Sequence, residues 1–133
     1  MNDAILVGHT IYLRYPTDTD ITDNKWHTWY NDYETTEYNN HGVFPVDIND
    51  ELEYIIETKR SKDKIVFSIC SKHEDNLIGN CTLRDINLLN RRAQFAITIG
   101  DPEYRGRSCA LEATGLTLEH GFFRLNLNRI YGQ

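Results

Sequence analysis

The sequence predicts a mixed α/β (α+β) fold in which one mostly antiparallel sheet is flanked by helices. Three features carry that prediction. Apolar residues keep a helical period ahead of residue 60, fall into strand-like runs between Lys64 and Ile99, and return to a helical period after Asp101-Pro102. Short polar turns separate the middle runs, which favours hairpins over crossovers. The last strand-like stretch instead follows a long helix, so it should lie parallel to the strand before that helix.

Taken in order, Thr10-Ile11-Tyr12-Leu13-Arg14-Tyr15 is β-branched and aromatic, stops at Pro16, and reads as a first strand. Asp18, Asp20 and Asp23 then offer caps, and Trp26, Trp29, Tyr30 and Tyr33 fall at helical spacing, so a short amphipathic helix or helix pair follows. Asn39, Asn40, Gly42 and Pro45 break the period over 34–50 and mark a loop. Asp50 with Glu53 has the form of a capping arrangement, and Leu52, Ile55 and Ile56 give an apolar stripe to a helix reaching Arg60. Lys64 to Ser71, Leu77 to Arg84 and Arg92 to Ile99 read as strands, with turns at His73 to Asn76 and Asn87 to Asn90. A longer helix should begin near Arg105 and end near Leu125, its apolar face drawn from Leu111, Gly115, Leu118 and Phe122. Asn128 to Tyr131 opens another strand.

Composition bounds the partners. At 133 residues the chain fits one domain, 1–133, with one hydrophobic core. A net charge of −6 argues against a nucleic-acid backbone as partner, because that affinity needs clustered cations. No apolar run approaches the roughly 20 residues of a membrane helix, and the N-terminus carries no secretory pattern, so a cytoplasmic location is the default expectation. Cys70, Cys81 and Cys109 lack metal-like spacing and are odd in number, which favours reduced thiols. His27, His41 and His73 are scattered through polar segments, and no metal site is expected. His120 lies late in its helix, about three to four turns from the start, and reads as structural.

One stretch carries chemistry. Ile97-Thr98-Ile99 runs through Gly100-Asp101-Pro102-Glu103-Tyr104 into Arg105-Gly106-Arg107-Ser108-Cys109-Ala110, a strand feeding a helix start rich in small residues and arginines. Unpaired amides and the positive end of the helix dipole suit a phosphate there, and Arg105 and Arg107 add charge-assisted contacts. A solvated helix start is the competing reading of the same composition.

Read with Ile78-Gly79-Asn80-Cys81-Thr82-Leu83 before it and Leu125-Asn126-Leu127-Asn128-Arg129-Ile130-Tyr131 after it, this stretch resembles the acetyl-CoA-binding half of the GNAT N-acetyltransferase superfamily. The start Ile11-Tyr12-Leu13-Arg14 and the segment Trp29-Tyr30-Asn31-Asp32 are similar to the RimJ/RimL-type branch. The family's phosphate turn is matched by Arg105 at its first position and Ala110 at its last, while Ser108 stands where the pattern has its central glycine. The resemblance also implies a further helix and two strands beyond the point where this chain stops, at Gln133, so the domain is expected to be C-terminally short, with a homodimer as one way of completing the sheet.

The resemblance implies acetyl transfer from acetyl-CoA to a primary amine on a small molecule, an amino sugar or a protein N-terminus. The turn Arg105, Gly106, Arg107, Ser108, Cys109 and Ala110 would hold the cofactor, and the backbone of Ile97, Thr98 and Ile99 would pair with its pantetheine arm. An amide near Ile99 is the expected donor to the thioester carbonyl. Many relatives carry a glutamate where Gln94 stands, which leaves Asp85 and Glu103 as the carboxylates offered for the amine's proton. The acceptor pocket is expected on the first helices, from Trp29, Tyr30, Asp32 and Tyr33. The alternative is a catalytically inactive CoA-binding or dimerising module of the same fold, to which Ser108 and Gln94 speak.

Overall fold

The computed structural model describes residues 4–17, 19–20, 48–104 and 108–132. Two short strands, β1 (Leu6–Val7) and β2 (Ile11–Arg14), form a hairpin, and α1 (Ile48–Arg60) leads into a meander of β3 (Ile65–Ser71), β4 (Leu77–Asn87) and β5 (Arg92–Ile99). A 3₁₀ turn (Pro102–Tyr104) comes before α2 (Cys109–Glu119), whose last turn widens into a π-helical turn (His120–Arg124), and β6 (Arg129–Gly132) follows. The strands build one six-stranded sheet in chain order, β1 to β6. Neighbours run antiparallel up to β5, and β6 lies parallel to β5 from Arg92↔Arg129 to Phe95↔Gly132. The mixed class, the meander and the parallel last pair are those the hydrophobic pattern predicts; a helical crossover carries the chain back to the same end of the sheet.

The structure differs from the sequence expectation at four places. A strand precedes the expected first one: β1 is two residues long, too short to leave a periodic trace. Helix α1 begins at Ile48, so Asp50 lies within its opening turn and does not precede it. Strand β4 extends past Arg84 to Asn87 through a register shift at which Asp85 adopts φ 51°, a bulge that lets the strand continue. The fourth difference concerns the face that α2 buries. Leu111 is 76% exposed and Phe122 40% exposed, whereas Cys109, Ala113, Thr117 and, in the π turn, Gly121 are buried. Small residues four apart let the helix axis approach the sheet closely: a Cβ on Gly121 would stand 2.6 Å from Cδ1 of Ile130.

Against that helix face the sheet presents Ile11, Leu13, Phe67, Ile69, Cys81, Leu83 and Phe95, which form the core together with Leu127. Thr117 is buried without penalty because its hydroxyl donates to the Ala113 carbonyl at 2.8 Å and meets Cys81 Sγ at 3.3 Å. Burial pushes the Cys81 thiol up to about 12 despite that contact. On the opposite face Arg14 grips Asp20 through two bonds, 2.7 and 3.0 Å, and Asp20 also accepts from the Ser68 hydroxyl at 2.8 Å and the Thr17 amide at 3.0 Å. Burial alone would raise the Asp20 carboxyl, but these donors outweigh it and hold it below the usual carboxylate range.

Candidate functional site

Strand β5 delivers the chain to the site. Its last residue, Ile99, pairs with Gly79 of β4, and the amides of Gly100 and Asp101 both donate to the Ile78 carbonyl, at 2.9 and 3.1 Å. Gly79 has a steric reason to be glycine: a Cβ there would overlap the Thr98 carbonyl oxygen and lie 3.1 Å from the Cα of Ile99. The 3₁₀ turn is then built on Asp101, whose side chain accepts the Glu103 amide at 3.0 Å and whose carbonyl accepts the Tyr104 amide at 3.0 Å. Tyr104 is buried and anchors the turn in the core.

The chain re-enters the described residues at Ser108, the N-cap of α2, which is exposed and makes no side-chain capping bond. Cys109 is buried and Ala110 half-buried, so the helix presents small side chains beside its first amides. A cleft of about 490 Å³ opens at this end of the helix, with Thr10, Lys72, Tyr104, Ser108 and Cys109 in its lining. Such a helix end can receive a phosphate or diphosphate, and the cleft's lining adds one lysine, Lys72, and one carboxylate, Glu74.

Of the expected cofactor residues, Ile97, Thr98 and Ile99 are half-buried on β5. Ser108 and Cys109 are brought to the cleft, and Ala110 follows them in the first turn of α2. Arg105, Gly106 and Arg107, and the expected acceptor residues Trp29, Tyr30, Asp32 and Tyr33, lie outside the described residues. The two carboxylates stand far apart on the fold, and neither is in the cleft's lining. Asp85 is exposed at the β4 bulge, two residues beyond Leu83, the partner of Phe95. Glu103 is exposed on the 3₁₀ turn, at the helix end of the site. Gln94 accepts a bond from Arg84 Nε at 3.2 Å, and the pair spans β4 and β5.

His120 packs edge-on against Phe67, with ring centres 5.8 Å apart. Burial, with a smaller contribution from Arg124, lowers its pKa and favours the neutral ring. Among the described residues no group of three His, Cys, Asp or Glu side chains could hold a metal ion, and no helix is long and apolar enough to cross a membrane. Two functional features have no sequence signal. The 8–10 turn and Lys72 reach the cleft only through sheet pairing, and Glu112 meets residues more than 100 positions earlier.

Architecturally the chain is an acetyltransferase-type domain. Its fold aligns with a crystal structure of spermidine N-acetyltransferase from Vibrio cholerae in complex with CoA and spermine at a TM-score of 0.79 and 25% identity, over 92% of this chain and 70% of that one. A second structure, of a probable acetyltransferase, shares the fold at a TM-score of 0.81 and 19% identity, over 96% of this chain and 71% of that one. The chain belongs to the GNAT acetyltransferase family: the acetyltransferase (GNAT) domain matches residues 10–133. It is also similar to an uncharacterized N-acetyltransferase, p20, of Bacillus licheniformis, 32% identical over 85% of this chain. Spermidine N(1)-acetyltransferase of Escherichia coli strain K12 is 43% identical over 40% of this chain. The chain spans 62% of the length of the first of these relatives and 28% of the second.

Proposed function

We propose that this chain is an enzyme that transfers an acetyl group from acetyl-CoA to a primary amine, within the RimJ/RimL-type branch of its family and in the cytoplasm. The observation that carries the proposal is the junction of β5 with the exposed N-cap of α2 beside a cleft large enough for a nucleotide phosphate group. The residues fit the cofactor: Gly79 lets β5 lie close to β4, and Ser108 and Ala110 leave the helix amides approachable.

On this reading Arg105, Gly106, Arg107, Ser108, Cys109 and Ala110 hold the phosphates, and the backbone of Ile97, Thr98 and Ile99 lines the arm of the cofactor. Acetyl-CoA, when bound, supplies a thioester acyl group. The chain's own task is to orient the amine and take up its proton, since an alkyl amine is mostly protonated near neutral pH. Asp85, exposed at the β4 bulge, is the carboxylate taken for that proton. Glu103 sits at the phosphate end, where its charge opposes an anion. Trp29, Tyr30, Asp32 and Tyr33 supply the acceptor wall. A polyamine such as spermidine is the first acceptor to try, on the strength of the related acetyltransferases.

The test is release of free CoA thiol from acetyl-CoA with spermidine, an amino sugar and a peptide N-terminus as acceptors. Amine-dependent release supports transfer, and absence of release with all three while CoA binds favours the inactive binding module. Asp85→Asn should then lower kcat by about a hundredfold, the scale of general-base loss, with little change in the KM for acetyl-CoA.

A further inference from the structure

Glu112, in the first turn of α2, is an acid that the acetyl-transfer reading leaves without a role. Its Oε1 accepts the backbone amides of His9 at 2.7 Å and Thr10 at 2.9 Å, and its Oε2 accepts the Thr10 hydroxyl. Burial alone would push this carboxyl up, but the three donors outweigh it and hold it below the usual carboxylate range. A carboxylate occupied in this way is a poor proton acceptor, which separates it from the role proposed for Asp85.

The neighbouring residues are shaped to that contact. A Cβ on Gly8 would lie 2.6 Å from Glu112 Oε1, so glycine is what lets the carboxylate reach the turn. Lys72 holds the same turn from β3's side: its Nζ donates to the Gly8 carbonyl at 3.2 Å and its amide to the Thr10 carbonyl at 3.0 Å. At the helix end, the Glu112 amide donates to the Ser108 carbonyl at 2.9 Å, so the carboxylate and the N-cap belong to one rigid turn. Thr10, Lys72 and Ser108 all face the cleft.

We propose that Glu112 is a positioning residue for cofactor binding: by capturing the 8–10 turn it fixes the amide end of α2 against the opposite wall of the cleft. The inference rests on the acetyl-CoA reading. It locates in Glu112 the restraint that holds the phosphate-receiving amides in place before ligand arrives, so that their ordering is not charged against binding. The chemistry at the acetyl group is left untouched, and the effect falls on cofactor affinity alone.

Glu112→Gln keeps the shape, with its carbonyl on the two amides and its NH₂ donating to the Thr10 hydroxyl, and removes the charge from these bonds. Measured on the full chain by calorimetry and steady-state kinetics, this variant should raise the Kd for CoA and the KM for acetyl-CoA about tenfold, the scale of one charge-assisted hydrogen bond. The kcat at saturating acetyl-CoA and the KM for the amine should not move. Gly8→Ala should reproduce the loss by displacing the carboxylate. In a Glu112→Ala background, Gly8→Ala should add no more than about twofold, because the atom it collides with is gone. Unchanged CoA affinity in both single variants, even with a lowered Tm, overturns the positioning role, as do additive losses in the double variant. A wild-type chain that does not bind CoA overturns the acetyl-CoA reading and this inference with it.

Discussion

Replacing Gly79 by alanine tests the close contact of β4 and β5 at the point where the chain enters the site. The added methyl would overlap the Thr98 carbonyl oxygen and stand 3.1 Å from the Ile99 Cα, and both neighbours are backbone, which cannot rotate away. Overpacking of this kind costs about 2 kcal/mol. Parting the strands also disturbs the bonds from the Gly100 and Asp101 amides to the Ile78 carbonyl one residue away, worth about 1 kcal/mol for the one lost. For 133 residues the entropy of unfolding is about 0.28 kcal/mol/K, so a total near ~3 kcal/mol lowers Tm by about 10 °C. Thermal unfolding followed by circular dichroism reads the shift directly. A Tm within about 2 °C of the wild type would refute the reasoning, because it would mean that β5 has room to move at Thr98 and Ile99.

Other outcomes follow from the polar contacts. Asp20→Asn removes the charge that Arg14 needs in a half-buried setting and should cost about 3 kcal/mol in urea unfolding. Because the Asp20 carboxyl is held below its unfolded value, its contribution is complete above the ordinary Asp pKa and is lost as pH falls through the folded value. Wild-type stability should therefore decline in acid more steeply than that of Asp20→Asn; parallel pH profiles would contradict the assignment. Cys70 and Cys81 are free and buried, and burial raises both thiols, Cys81 up to about 12, so a thiol reagent at pH 8 should label neither in the folded chain and both in urea. Prompt labelling of Cys81 in the native state would show that the α2–sheet interface opens. Thr117→Val should lower stability by about 1 kcal/mol through loss of the buried hydroxyl bonds, read from the urea midpoint.

Much of the fold is legible because sheet meanders are encoded locally. The runs bounded by His73 to Asn76 and Asn87 to Asn90 specify β3, β4 and β5, and β5 keeps its expected limits of Arg92 and Ile99. The crossover rule alone orients β6. The buried face of α2 misleads a reading by hydrophobicity, since Ala113, Thr117 and Gly121 are chosen for size, while Leu111, Phe122 and Phe123 are exposed. The helix end and its small residues are visible as a local pattern around Ser108. The clamp between Glu112 and the 8–10 turn is not, because its partners are joined only by the packing of α2 over β2. Asp85 shows the same limit: an aspartate in a strand-like run carries no sign of a bulge, yet the bulge decides where its carboxyl stands.

The central claim, that the amide end of α2 receives the phosphates of the cofactor, is tested most directly by following backbone amide resonances while CoA is added. The account predicts saturable shifts concentrated at Ser108, Cys109 and Ala110, with matching changes at Thr10 and Lys72 across the cleft. Saturable shifts confined to other parts of the sheet, with these amides unmoved, would contradict it.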